Sequence, residues 1–294
     1  MQKPPQSIAV VPAQDKSEAL EFAPIVERWL RERECVVMNE RDLANGAEAD
    51  VLIALGGDGL MMHMAYRFPA MPIIGINFGT VGFLAMVERS RWREVLEMLV
   101  TGQYTYQEGP TLQVEARRNG DQSDHGSAIN DVVVRSGIQM IDVELYIDGR
   151  YVNTYPGDGM IVSSPQGSTA YCMAAGGPIL TAGVRGFAIT PISAHSPIRA
   201  TLVVPEESSI ELVLSKDREG HLILDGKVAK ELQVNDIIQV SAGRDPFRMI
   251  MIEGMNFYEA FRTKFNYLIR PDAVPSLGVD RNYAPRERFE DRLD

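Results

Sequence analysis

The stretch Val51–Met62, VLIALGGDGLMM, ends an apolar run in Gly56-Gly57 and sets a carboxylate, Asp58, before a third glycine, Gly59. Glycines behind a buried strand let backbone N–H groups approach phosphate oxygens, and a helix starting there favours negative charge. A carboxylate in that place repels a phosphate. It makes sense facing a hydroxyl to be deprotonated, or a magnesium ion between it and the phosphates. The alternative is a strand-to-helix turn with Asp58 as a local cap. The spacing is not G-x-G-x-x-G, and G-x-x-x-x-G-K-[ST] occurs nowhere, so a P-loop is excluded.

A second stretch, GDGMIVSSPQGSTAYCMAAGGPIL (Gly157–Leu180), packs small polar residues between apolar ends. Ser163, Ser164, Ser168 and Thr169 supply donors and acceptors, Gly167 lets the chain turn, Tyr171 offers an aromatic face, and Asp158 can accept from an amide or hydroxyl. The competing reading is a polar loop feeding a helix through Thr169–Met173, ended by Gly176-Gly177-Pro178. Asn130-Asp131 opens a β-branched run and reads equally well as a strand-entry turn. His195 is one of four histidines, and packing or local bonding is its simpler role. No Ser/His/Asp triad follows from spacing, G-x-S-x-G is absent, and no Cys/His group is spaced for zinc.

These residues need elements to hold them. Ile8–Val11, Val51–Leu55 and Pro72–Asn77 read as strands. Between and after them lie a helix that Ser17 could cap, with Pro24 inside it, an apolar helix from about Leu60, and an amphipathic helix over Arg91–Val100. Strands alternating with helices imply a parallel sheet. After Tyr104 the pattern changes. Asn119-Gly120, Asp148-Gly149 and Asp225-Gly226 lie between β-prone runs and supply the positive φ that tight hairpins need. The expected architecture is an α/β N-terminal domain plus an antiparallel all-β C-terminal domain. Residues 1–104 with about 255–280 form the first, 105–254 the second, and 281–294 a polar, mobile tail.

Two cysteines, Cys35 and Cys172, give no disulfide framework, and no signal peptide or spanning segment is evident. This reads as a cytoplasmic protein. A net charge of −11 argues against nucleic acid and anionic membranes as partners, while leaving room for an anionic small molecule held locally.

Taken together, these motifs resemble the NAD kinase family, which phosphorylates the adenosine-ribose 2′-hydroxyl of NAD to give NADP. The resemblance is an ordered series from about Ile53 to Leu232. It comprises GGDG at Gly56–Gly59, GINFGTVGFLA at Gly75–Ala85, Asn130-Asp131 in place of an Asn-Glu pair, DGMIVSSPQGSTAY at Asp158–Tyr171, AGGP at Ala175–Pro178, AHS at Ala194–Ser196 and LDG at Leu224–Gly226. GGDG is shared with diacylglycerol, sphingosine and phosphofructokinase relatives, whereas GSTAY…GGP is more specific. The sequence departs from the family at Leu60, Asp131, Ser164, Gln166, Ala174 and Lys227.

The resemblance implies that Asp58 acts on the ribose hydroxyl as base or orienting acceptor, and that Gly56, Gly57 and Gly59 cradle the donor's phosphates. It further implies that Asn130, Asp131, Asp158, Gln166, Thr169, Ala170, Tyr171 and Ser193 hold NAD. The donor is ATP or polyphosphate. Mg2+ or another divalent cation travels with it, with no direct protein ligands. The implied assembly is a homo-oligomer, a dimer or tetramer, whose nucleotide site a neighbouring subunit completes. Two rivals stay open: a small-molecule or lipid kinase of the same superfamily, and a non-catalytic dinucleotide-binding regulator.

Overall fold

The computed structural model describes residues 2–79, 82–118, 121–181, 183–216 and 218–269, with 121–124 and 266–269 described as backbone only. The Asn119-Gly120 turn and the 281–294 tail lie outside the described residues.

The first third of the chain alternates as its pattern demands. Strand β1 (Ser7–Pro12) leads to α1 (Ser17–Arg31), β2 (Val36–Met38), α2 (Glu40–Ala44), β3 (Val51–Leu55), α3 (Asp58–Arg67), β4 (Ile73–Asn77), β5 (Val87–Glu88), α4 (Trp92–Val100) and β6 (Thr105–Gly109). Pro24 lies inside α1 without ending it. The cap position is Lys16 rather than Ser17, and no side-chain bond is made there. Helix α3 starts at Asp58, two residues before the expected start.

Twelve strands follow: β7 (Leu112–Arg118), β8 (Asp121–Ala128), β9 (Asp131–Ser136), β10 (Ile141–Ile147), β11 (Arg150–Gly157), β12 (Gly159–Ser163), β13 (Gly186–Ile192), β14 (Leu202–Pro205), β15 (Ile210–Leu214), β16 (Gly220–Leu224), β17 (Lys227–Leu232) and β18 (Ile237–Ala242). The short helix α5 (Tyr171–Ala174) lies between β12 and β13. Strand β19 (Phe247–Met251) and helix α6 (Phe257–Ile269) close the fold.

The first sheet runs β2-β1-β3-β4-β19-β6, with β5 also on β4. All its pairings are parallel except β19 with β6. Thus β6 and β19, which lie within the span 105–254 assigned to the second domain, are strands of the first sheet. The physical reason is their mutual antiparallel pairing, which places β6 at the sheet edge. The other strands form two antiparallel sheets, β11-β10-β15-β18-β7-β8 and β14-β13-β12-β9-β16-β17. The hairpin turns carry the positive φ their sequences predict: Asp148 50° and Gly149 72°, Asp225 46° and Gly226 77°.

Both faces of the parallel sheet are covered. Phe22, Val26, Trp29 and Leu30 of α1 and Trp92, Val95, Leu96 and Leu99 of α4 pack on one face, and Leu43, Met61, Met64 and Ala65 of α2 and α3 on the other. Burial of each such large apolar side chain stabilises by about 1.5–3 kcal/mol. The two antiparallel sheets share a core that includes Val114, Val134, Val143, Val162 and Phe187. Ile129, just before β9, packs with Leu84, Phe247 and Met249 in the core of the first sheet. The loop carrying Asn130 is thereby fixed against the first sheet.

Candidate active site

Strand β3 is wholly buried and runs into Gly56-Gly57. Gly57 is the cap of α3 with φ −101° and ψ −171°, and Asp58 is the first helical residue. The three glycines do different things. A Cβ on Gly56 would meet Leu60 Cδ2 at 2.8 Å and Ala13 Cβ at 3.2 Å, so Gly56 serves the packing of α3 on the sheet. A Cβ on Gly57 or Gly59 meets nothing within 4 Å. Those two backbones face open space at a helix N-terminus beyond the strand ends, where ligands of open α/β sheets sit.

The Asp58 carboxylate does not cap its own helix. It reaches across to the loop after β4, accepting from Phe83 N–H at Oδ2 (2.9 Å) and from Leu84 N–H (3.1 Å) and Ala85 N–H (2.8 Å) at Oδ1. A Cβ on Gly82 would overlap the carboxylate, which accounts for glycine there. Two amides occupy the lone pairs of Oδ1. Oδ2 keeps one, and Lys264 Nζ of α6 lies 3.8 Å from that oxygen. The same ammonium lies 4.4 Å from the centroid of the Phe83 ring, and Phe257 and Phe265 of α6 pack on that ring at 5.6 and 6.0 Å.

Asp225, at the β16–β17 turn, repeats the device. Its carboxylate accepts from the N–H groups of Ile129 (2.8 Å), Asn130 (2.7 Å) and Asp131 (3.1 Å). Asn130 then donates through Nδ2 to Met62 Sδ of α3, while its Oδ1 is buried without a partner. Asp131 is buried, and desolvation together with the Asp225 charge pushes its carboxyl up to about 7.

The serines of the long motif are structural ties. Ser164 Oγ donates to Ile129 O (2.6 Å) and accepts from Gly167 N–H (3.2 Å). Ser168 Oγ donates to Pro165 O (2.7 Å) and accepts from Leu180 N–H (3.0 Å). Gly167 presses on the Asn130 backbone with no room for a Cβ. The expected helix through Thr169–Met173 is broken. A 3-10 turn over Gly167–Thr169 and the helix Tyr171–Ala174 are separated by Ala170, whose φ of −101° and ψ of −122° are non-helical. The break leaves Ala170 exposed and Thr169 and Tyr171 half-buried.

Gln166 and Thr169 line a narrow cavity with Phe83, Leu84, Gln107 and Phe257, and the Oε1 atoms of Gln166 and Gln107 are buried without partners. A second cavity of about 370 Å³ opens beside Gly59, between Met62, His63 and Tyr66 of α3 and Asp225, Lys227 and Val228 of the hairpin.

The structure therefore brings Asn130 to α3 through Met62, and Gln166 and Thr169 to Phe83 and Leu84 of the loop that Asp58 holds; Asp131 follows Asn130 at the start of β9, and Ala170 and Tyr171 follow Thr169 in the chain. Asp158 and Ser193 stand elsewhere. In the β12–β9 register Ser163 faces Asp131 while Gly159 faces Arg135, which puts Asp158 at the other end of β12, roughly 15 Å from Asp131. Ser193 has φ 47° and is exposed beside it. His195 is exposed, and its backbone N–H donates to Pro156 O. Sequence reasoning passed over Lys264 and Gln107. The available signal for Lys264 was a cation set among the aromatic residues of FYEAFRTKF.

Comparison with known proteins shows which family the chain is similar to. Residues 42–104 match the family model of the ATP-NAD kinase N-terminal domain, and residues 129–252 match that of the ATP-NAD kinase C-terminal domain. The chain is 56% identical over 268 residues to the NAD kinase of Thermomicrobium roseum, covering 91% of this chain and 93% of that one. It is 32% identical to the NAD kinase of Azoarcus sp. strain BH72, covering 92% and 97%. Among solved structures it resembles yeast NADH kinase complexed with NADH in fold, with TM-score 0.80, 20% identity and coverage of 94% and 90%. It also resembles an NAD kinase from Archaeoglobus fulgidus in complex with ATP, with TM-score 0.69, 26% identity and coverage of 88% and 97%. On the two family models and these relatives, the chain belongs to the NAD kinase family of phosphotransferases.

Proposed function

We propose that the chain transfers the terminal phosphoryl group of ATP, or of a polyphosphate, to the 2′-hydroxyl of the adenosine ribose of NAD, giving NADP. The observation that carries this reading is the Asp58 carboxylate, fixed by three amides with one lone pair of Oδ2 to spare, beside two glycines that face open space. The relatives named NAD kinase support the same acceptor, and the Archaeoglobus protein's complex with ATP supports the donor.

In the step proposed, the acceptor hydroxyl gives its proton to Asp58 Oδ2, and its oxygen forms a bond to the terminal phosphorus. The bond from that phosphorus to the bridging oxygen breaks. Its electron pair stays on the departing ADP or shortened polyphosphate. Phosphoryl transfer asks mainly for positioning and charge neutralisation, which the N–H groups of Gly57 and Gly59 and the positive end of α3 supply. Asn130 Oδ1 and Gln166 Oε1, buried and unpartnered, are acceptors waiting for N–H or O–H donors, and they suit the hydroxyls and the amino group of a dinucleotide. Asp131, Thr169, Ala170 and Tyr171 complete the NAD contacts. Asp158 and Ser193, at the far end of β12, would serve the site of a neighbouring copy in a homo-oligomer.

Among the described residues no group of three or more His, Cys, Asp or Glu could hold a metal ion. A divalent cation would be held by the phosphate oxygens of the donor, without direct protein ligands. Bound there, Mg2+ would neutralise phosphate charge. Free Cys35 and Cys172 suit a reducing, cytoplasmic setting.

Incubation with NAD, ATP and Mg2+, followed by assay of NADP, tests the reading. NADP formation is expected. NAD binding with no turnover would mark a dinucleotide-binding regulator, and phosphorylation of diacylglycerol in place of NAD would mark a lipid kinase.

A further inference from the structure

Helix α6 comes from the far end of the described chain, yet it lies over the centre of the site. Phe257 and Phe265 pack on Phe83, and Phe261 stacks on Phe265 at 4.7 Å. Phe83 is the residue whose N–H is held by Asp58 Oδ2. The aromatic packing brings one cation of α6, Lys264, to that same oxygen at 3.8 Å. The Lys264 side chain is 32% exposed, and its ammonium lies 4.4 Å from the centroid of the Phe83 ring. The pair is too long for a hydrogen bond, so the ammonium stands near the carboxylate without being locked to it. Lys264 is the only basic side chain within 4 Å of Asp58 among the described residues.

We infer that Lys264 is a donor-binding residue: its ammonium leaves Asp58 Oδ2 for the phosphate oxygens of the phosphoryl donor when the donor occupies the open space beside Gly57 and Gly59. The inference rests on the phosphotransferase reading and adds a residue to it. Two physical requirements meet at this one side chain. The protein has a net charge of −11 and places a carboxylate where a polyanion must approach, so a cation is needed to offset the repulsion. The oxygen of Asp58 that retains a lone pair must also be open to the acceptor hydroxyl. A lysine on a flexible four-carbon stem meets both needs by one short movement. In the free protein it screens Asp58. With the donor bound it donates N–H to phosphate oxygens and uncovers Oδ2. The aromatic anchors of α6 hold the stem within reach.

The test uses the full-length protein and begins with wild-type NADP formation, which tests the underlying reading separately. In an active preparation, Lys264→Met keeps the stem and removes the charge. The donor kcat/KM is expected to fall about 10- to 100-fold, as for loss of a hydrogen bond to a charged group. NAD affinity by calorimetry is expected to stay within about two-fold, since no NAD contact is removed. Lys264→Arg is expected to recover most of the donor kcat/KM. A second measurement needs no variant. Amine-reactive labelling of wild-type Lys264, read by mass spectrometry, is expected to be suppressed by ATP with Mg2+ and unchanged by NAD alone. Wild-type donor kinetics in Lys264→Met, an equal loss of NAD and donor affinity, or labelling that ATP leaves unchanged would each overturn the inference.

Discussion

Asp58 Oδ1 accepts the Ala85 N–H at 2.8 Å across the mouth of the parallel sheet, so the carboxylate that begins α3 also builds the loop after β4. A carboxylate with three N–H donors is a poor candidate for replacement by its amide. In Asp58→Asn, one amide oxygen can still accept from Leu84 and Ala85, but the NH2 group then faces the Phe83 N–H. Leaving that N–H without a partner costs about 1–3 kcal/mol. The expected variant is therefore less stable in urea, and its kcat is lower by about 10²- to 10⁴-fold, as for loss of a general base. Wild-type kcat in Asp58→Asn would show that the carboxylate only positions the loop.

The three glycines of the turn should part company under substitution. Gly56→Ala meets Leu60 and Ala13 and is expected to destabilise the fold. Gly57→Ala and Gly59→Ala meet no atom within 4 Å among the described residues, and neither glycine has a positive φ. Both should fold, Gly59→Ala with stability equal to wild type or about 0.4–1 kcal/mol higher, and Gly57→Ala, at the cap of α3, with a loss of no more than about 1 kcal/mol. Their methyl groups would instead occupy the space through which a phosphate reaches the backbone N–H groups. A loss of donor kcat/KM in these stable variants is the expected result. Wild-type kinetics in both would place the donor elsewhere.

Much of this arrangement is legible in the sequence, for local reasons. The run Val51–Leu55 followed by three glycines can hardly be anything but a buried strand entering a turn. Asp148-Gly149 and Asp225-Gly226 announce hairpins because the turns need positive φ, and both have it. What escapes is what depends on distant partners. Thr105–Gly109 is short and polar and becomes a strand only by pairing with Phe247–Met251, so its membership of the first sheet carries no local signal. The three hydrogen bonds that Asp58 accepts from residues 83–85 and the approach of Lys264 are contacts between segments that no periodicity links. The serines of the long motif look like ligand contacts because they are small and polar. Burial shows that Ser164 and Ser168 are spent on backbone groups.

Removal of divalent cations should abolish turnover and leave NAD bound. The proposed cation is carried by the donor rather than held by the protein. Exhaustive chelation is expected to reduce NADP formation to background, with NAD affinity by calorimetry unchanged. Full turnover after chelation would mean that the amides and Lys264 neutralise the donor unaided.

Asp131 gives the protein a pH dependence whose sign can be worked out. In the unfolded chain its carboxyl titrates near about 3.9. In the fold, burial and the neighbouring Asp225 charge push it up to about 7. Between those values the folded protein holds a proton that the unfolded chain has released. Its stability therefore falls as pH rises through this window, and the contribution is fully lost above pH 7. Asp131→Asn stays neutral throughout and should remove that part of the dependence. The variant's melting temperature is expected to gain on wild type from pH 5 to about pH 7 and to level off by pH 8, and a gap constant across that range would contradict the assignment. Ligand binding should show the complementary effect. A ribose hydroxyl that donates to the carboxylate favours its charged form. NAD affinity in wild type is then expected to rise from pH 6 to pH 8, and in Asp131→Asn to stay flat. Parallel pH profiles for the two proteins would show that Asp131 shapes the β9 entrance without touching the dinucleotide.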